Sequence, residues 1–151
     1  MNYTIRQAAV TDVERICELY VEMLQAVYRT EEVEGYKTED LEKFWAGDEN
    51  RIFVAEDRTV VGFLSVEVYH ENEDFIYLND FAVTAEYRNK GIGSALLKAA
   101  ESYAREINTL NICLHVEKTN LSARQFYENQ GYAVYRDDGN RFLMHKELSP
   151  E

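Results

Sequence analysis

The segment Arg88-Asn89-Lys90-Gly91-Ile92-Gly93-Ser94 has residue types that suit an anion. It stands where a β-rich run, Phe75 to Val83, gives way to a helical pattern. A helix start offers unpaired N–H groups and a partial positive charge of roughly half a unit. Gly91 and Gly93 carry no side chain, so a phosphate can approach those amides closely. Two familiar phosphate loops are excluded by spacing. The dinucleotide fingerprint needs a third glycine where Leu96 stands, and a Walker loop needs Gly-Lys-Ser/Thr after four spacer residues. Taken alone, the same glycines could also do no more than cap a helix.

Other positions carry groups able to move protons. Asp80 can be a base acting through water, an anchor for an ammonium, or a salt-bridged strand end. Glu67 is a weaker candidate, on a strand whose outward face is naturally polar. Tyr127 can donate a proton, but Ala123, Phe126 and Tyr127 lie at i, i+3 and i+4, a spacing that equally suits packing. His70, His115 and His145 show no ligand spacing and read as ordinary histidines, so no metal is expected. His115 alternates with Ile112, Leu114 and Val116 and could face a cleft. Cys17 and Cys113 sit in apolar patterns and read as buried thiols of a reducing compartment.

The elements that must position these groups follow from the pattern. Tyr3 to Arg6 is a short strand, and Thr11-Asp12-Val13-Glu14 reads as a capping box opening a helix. Ile16, Leu19, Tyr20, Met23, Leu24 and Val27 form its apolar face. A second helix is expected over Thr38 to Ala46, with Leu41, Phe44 and Trp45 inward and Gly47 as its stop. Arg51–Glu56 and Val60–Tyr69 make a hairpin about Asp57-Arg58-Thr59, and Phe75–Val83 is a third run. A helix from Gly91 or Ile92 to Ile107, a strand Asn111–Val116 and a helix Leu121–Gln130 come next. Tyr132–Arg136 and Arg141–Lys146 then pair about Asp138-Gly139. The order is β-α-α-β-β-β-α-β-α-β-β, an α/β (α+β) chain. Its sheet is mixed and mostly antiparallel, with a parallel pair made by the crossover at 75–116.

The chain has 151 residues, enough for one domain, which we place at 3–148, and no repeat or linker divides it. No apolar run approaches the ~20 residues that span a bilayer. Asn2-Tyr3-Thr4-Ile5-Arg6 lacks a signal-peptide core, so the expected location is cytoplasmic and no membrane partner is expected. A net charge of −12 argues against nucleic acid. Residues 1–87 hold 7 Lys/Arg and 20 Asp/Glu, net −13, whereas 88–151 hold 9 and 8, net +1. The second part can host an anion; the first repels one.

Asp80-Phe81-Ala82-Val83, followed by Tyr87 to Leu97, resembles the acetyl-CoA pyrophosphate motif of the GNAT superfamily of N-acetyltransferases. Val116 to Asn120 and Ala123 to Tyr132 resemble its second cofactor motif, and Ile5-Arg6, Ala8 and Asp12 its usual opening. The resemblance implies the GNAT fold, acetyl-CoA as co-substrate, no metal and, as the family commonly shows, a homodimer. It implies that the backbone of Phe81, Ala82 and Val83 pairs with the pantetheine arm. The amides of Arg88, Asn89, Lys90, Gly91, Ile92, Gly93 and Ser94 would hold the pyrophosphate. Asn120 would bond the pantetheine, Ala123 leave room for it, and Tyr127 protonate the departing thiolate.

Acetyl transfer needs a neutral amine, and an amine of pKa near 10.4 costs about 4.6 kcal/mol to deprotonate at pH 7. Tyr77-Leu78-Asn79-Asp80-Phe81 is similar to the strand that carries a glutamate at the position of Asn79 in spermidine/spermine acetyltransferases. Asn79 cannot take a proton, which leaves Asp80 as the candidate base or anchor. The expected acceptor is a small cationic amine, polyamine- or aminoglycoside-like. It would be drawn by Glu18, Glu22, Glu31, Glu32, Glu34, Glu39, Asp40 and Glu42. A peptide N-terminus or protein lysine is the alternative acceptor, and a non-catalytic acyl-CoA-binding module is a third reading.

Overall fold

The computed structural model describes residues 2–36 and 38–150. In chain order the elements are β1 (Thr4–Gln7), α1 (Val13–Tyr28), β2 (Arg51–Asp57), β3 (Thr59–Tyr69), β4 (Phe75–Val83), α2 (Ile92–Glu106), β5 (Asn111–Glu117), α3 (Leu121–Asn129), β6 (Ala133–Asp138) and β7 (Arg141–Glu147). The strands form one mixed sheet in the order β1-β2-β3-β4-β5-β7-β6. β4 and β5 run parallel, with Ile76 opposite Ile112 and Leu78 opposite Leu114. Parallel neighbours need a long crossover, and α2 supplies it. The pairs β1–β2, β2–β3, β5–β7 and β6–β7 are antiparallel.

The chain divides into two compact units, residues up to 66 with 80–100, and 67–79 with 101 onward. β3, β4 and α2 contribute residues to both. In the first unit Ile16 and Leu19 of α1 pack with Leu41, Phe44, Ile52, Val54 and Phe63. Each such side chain, fully buried, contributes about 1.5–3 kcal/mol. In the second, period-two alternation sends Ile76, Leu78, Ile112, Leu114 and Val116 inward. Phe75, Tyr77, Asn111, Cys113 and His115 take the opposite face, none fully buried. That alternation sets the chemistry below.

Three expectations are corrected. No capping box forms at Thr11: residues Val10–Asp12 make a 3-10 turn, and the Asp12 carboxylate accepts the Ala9 N–H at 2.8 Å. Asp12 also takes two hydrogen bonds from Arg6, at 2.8 and 2.9 Å, which hold its carboxyl below the usual range. The second helix is a 3-10 helix over Thr38–Phe44. Leu41 and Phe44 are buried as expected, but three residues apart they fit three residues per turn as well as an α-helical face. The apolar face of α1 frays into solvent at its end, where Val27 is 53% exposed.

Candidate active site

In the first unit β4 ends in Phe81-Ala82-Val83, with Ala82 buried. The Thr84 N–H donates to the Val61 carbonyl at 2.8 Å, tying the strand end to β3. A Cβ on Gly62 would lie 3.1 Å from the Ala82 carbonyl oxygen and 3.2 Å from Val83, so β3 approaches closely there because it has a glycine. After the 3-10 turn Ala85–Tyr87, the loop reaches α2 with Asn89 at φ 61° and Gly91 at φ 85°. The N–H of Ala95 donates to Gly91 C=O at 3.0 Å. Ile92 and Gly93 precede that bond, in the first turn of the helix, whose N–H groups have no carbonyl partner within the helix. Buried Ile92 fixes the helix start, and a Cβ on Gly91 would meet nothing within 4 Å. The open space at Gly91, beside a helix start, suits an anion such as a pyrophosphate.

Not every charge here is offered to a ligand. Arg88 Nε donates to the Val83 carbonyl at 2.8 Å, and its guanidinium lies 3.8 Å from Glu22. Glu22 also accepts from the Thr84 hydroxyl at 2.9 Å and the Ala85 N–H at 3.0 Å. Glu18 pairs with Arg15 at 3.1 Å. These two acidic residues of α1, expected to draw a cation, are engaged within the fold. Asp80 accepts the Tyr36 hydroxyl, and its N–H donates to Ser65 Oγ at 2.9 Å. Tyr36 stacks on Tyr20 with ring centroids 3.8 Å apart. Burial, and next the Asp80 charge, push the Tyr36 phenol far above its ordinary pKa.

In the second unit Asn120 is the N-cap of α3: its Oδ1 accepts the Ala123 N–H at 3.1 Å. The amide NH2 is the part that capping leaves over. Tyr127 packs edge-on to Phe126 and Tyr132, and burial raises its phenol, so the hydroxyl stays protonated.

The same unit contains a cavity of about 480 Å³, with Phe75, Tyr77, Cys113, His115 and Tyr135 among its walls. Tyr77 and His115 are bonded to each other there, Oη to Nδ1, at 2.7 Å. His115 Nε2 lies 2.8 Å from Asp138 Oδ2. A carboxylate only accepts, so Nε2 carries a proton, and Nδ1, when it carries none, accepts from the Tyr77 hydroxyl. Arg136 Nε donates to the other Asp138 oxygen at 2.7 Å. Arg136 and then His115 hold the Asp138 carboxyl well below its usual range. His115 is thus a satisfied histidine, bonded at both ring nitrogens, and it faces the cavity. The alternation in β5 was the available signal, and the partners come from β4 and the last hairpin.

Beside it, Glu67 is buried at 5% exposure. Its Oε1 accepts the Tyr69 hydroxyl at 2.6 Å and its Oε2 the Asn79 Nδ2 at 3.0 Å. Both cysteines are half-buried rather than buried, and burial pushes the Cys113 thiol up to about 11. His70 bonds Asp74 and His145 bonds Asn111. Among the described residues no group of three or more His, Cys, Asp or Glu could hold a metal ion, and no helix is long and apolar enough to cross a membrane.

Comparison with known proteins decides the family. The model of the acetyltransferase (GNAT) family matches residues 13–132. The chain belongs to the GNAT family. It is an N-acetyltransferase dependent on acetyl-CoA. An uncharacterized N-acetyltransferase of Methanocaldococcus jannaschii is 34% identical to this GNAT chain, over 94% of it and 90% of the relative. The spermidine N(1)-acetyltransferase of Thermoplasma acidophilum is 26% identical, over 97% and 98%. In fold, this acetyltransferase is similar to the PaiA N-acetyltransferase of Thermoplasma acidophilum, solved with coenzyme A. The TM-score is 0.81 at 23% identity, over 98% of this chain and all of that one.

Proposed function

We propose that the chain, as one acetyltransferase domain over 3–148, acetylates a cationic primary amine. Tyr77, His115 and Asp138 remove the proton that blocks the amine's lone pair. The observation that carries this reading is the bonded series from Tyr77 through His115 to Asp138 on a cavity wall. The Tyr77 oxygen receives a proton from the ammonium as its own proton passes to His115 Nδ1. Asp138 stabilises the imidazolium that forms, the logic of the Ser-His-Asp triad without its nucleophile. The relay supplies the base that Asn79 cannot be, and Asp80, bound to Tyr36, becomes a support of the strand end.

Acetyl-CoA brings the activated acetyl group. The amides of Arg88 to Ser94 would hold its pyrophosphate and the Phe81–Val83 backbone its pantetheine, and the Val83 N–H would supply a donor for the charge that develops on the acetyl oxygen. Asn120 donates to the pantetheine through its free NH2, Ala123 leaves space, and Tyr127 holds a proton at Oη for the sulfur. The relative named as a spermidine acetyltransferase supports a small polyamine-like acceptor. The aromatic walls formed by Phe75, Tyr77 and Tyr135 favour a second reading, a peptide N-terminus with an apolar first side chain. A cytoplasmic homodimer goes with either.

The test is an amine panel with acetyl-CoA, following release of free thiol: polyamines, aminoglycosides and peptides with free α-amines. Transfer to polyamines in preference to peptides is the expected result. A chain that binds acetyl-CoA but acetylates no amine is a binding module, and the proposal fails.

A further inference from the structure

Lys146 and Glu101 form an ion pair that neither the relay nor the cofactor loop uses, and it reaches Tyr127 in two steps. Glu101, on α2, is 8% exposed, and Lys146 Nζ of β7 lies 3.1 Å from its Oε2. The Tyr132 hydroxyl donates to the same oxygen at 3.0 Å, from a side chain that is itself buried. Burial, and next the Glu101 charge, raise the Tyr132 phenol, so it stays a donor. Lys146 Nζ also donates to the Gln130 carbonyl at 2.8 Å, where α3 ends. A cation at that point satisfies a carbonyl left over by the helix and suits its dipole. The approach needs a glycine next door: a Cβ on Gly131 would lie 3.3 Å from Lys146 Cε.

Tyr127 lies on the other side of Tyr132. The Tyr132 N–H donates to the Tyr127 carbonyl at 3.0 Å, and the two rings meet edge-on with centroids 6.1 Å apart. The last turn of α3 is thus tied to α2 through Glu101 and to β7 through Lys146, and Tyr127 belongs to that turn. We propose that Lys146 and Glu101, acting through Tyr132, are positioning residues for Tyr127 and fix where its hydroxyl meets the departing thiolate. This rests on the reading of Tyr127 as the proton donor and names what holds it in place. Proton transfer needs donor and acceptor within hydrogen-bond reach, and a misplacement of about 1 Å can cost 10²-fold.

The experiment is a double-mutant cycle on kcat, with acetyl-CoA KM and the urea midpoint measured alongside. Y132F keeps the ring against Tyr127 and removes only the bond to Glu101, so the fold is kept. It should lower kcat about ten-fold, less than a full 1 Å displacement, with little change in acetyl-CoA KM. In a Y127F background the same substitution should change kcat by less than about twofold, because there is no hydroxyl left to misplace. K146M should repeat the pattern with a larger fall in the urea midpoint, since it leaves Glu101 buried without its partner. If K146M does not fold, Y132F decides alone. Equal losses in the two backgrounds, or a lower midpoint with wild-type kcat, make the cluster purely structural and overturn the inference. Wild-type kcat in Y127F alone overturns the reading of Tyr127 as the donor, and the inference with it; that failure shows in the single variant and is not confused with the other.

Discussion

Replacing Tyr77 by Phe removes one oxygen and leaves the ring. The hydroxyl makes the 2.7 Å bond to His115, and the two rings stay in edge contact at 5.6 Å. Stability should therefore fall only by one net hydrogen bond, about 0.5–1.5 kcal/mol, or roughly 2–5 °C in Tm. The catalytic loss should be larger. Deprotonating an amine of pKa near 10.4 at pH 7 costs about 4.6 kcal/mol, so a relay that offsets all of it accelerates the step by at most about 2,500-fold. Positioned bases give 10²–10⁴-fold, and about 10²–10³ is expected here. The decisive readout is pH. Without the relay only the neutral amine reacts, so log kcat/KM of the variant should climb by one per pH unit up to the acceptor's pKa. Wild type takes the ammonium and its profile should be flatter, so the two curves converge at high pH. Thiol release measured across that range, with acetyl-CoA saturating, checks both. A variant with the wild-type profile, or a loss below about threefold while chemistry limits the rate, refutes the relay.

Gly93→Val adds a branched side chain in the first turn of α2, where φ is ordinary; acetyl-CoA binding should weaken by several kcal/mol with the fold kept, and wild-type affinity in calorimetry would remove the cradle. Tyr127→Phe should lower kcat by about 10²-fold with little change in acetyl-CoA KM; less than threefold makes Tyr127 a packing residue. The Asp12 carboxyl is depressed below 3.8 in the folded state, so its contribution is complete above the unfolded value and is lost as pH falls through the folded one. Urea midpoints followed from about pH 5 to pH 2.5 should drop more steeply for wild type than for Asp12→Asn; parallel curves would show that the Arg6–Asp12 pair does not set acid stability.

Strong local signals made much of this readable. The boundaries of β4 match because nine β-rich residues end at a helix-starting loop, and the parallel pair follows from a single helix between two strands. The tight turn at Gly139 takes the positive φ its sequence calls for. Where two windings share one spacing, as at Leu41 and Phe44, the pattern could not choose. The bonded series Tyr77–His115–Asp138 was hidden for another reason. Tyr77, His115 and Asp138 are 38 and 23 residues apart, and only the sheet register makes them neighbours. Glu67 is only a weak candidate in the sequence because a strand's outward face is naturally polar, and its burial shows only in the fold. The cofactor loop was legible because all its groups are consecutive.

β4 has an evolutionary consequence. Its even positions, Ile76 and Leu78, belong to the interior, and its odd positions, Phe75, Tyr77 and Asn79, to the opposite face, where Phe75 and Tyr77 line the cavity. Period two makes these sets independent under substitution and inseparable under insertion. A lineage can exchange the odd residues one at a time and sample new acceptors with little loss of stability. A one-residue slip would bury a tyrosine and an asparagine and expose an isoleucine and a leucine, ending activity and folding together. Changes of acceptor in this chain should therefore accumulate as substitutions on alternate residues of β4, and length changes should be confined to the loop between Tyr69 and Phe75.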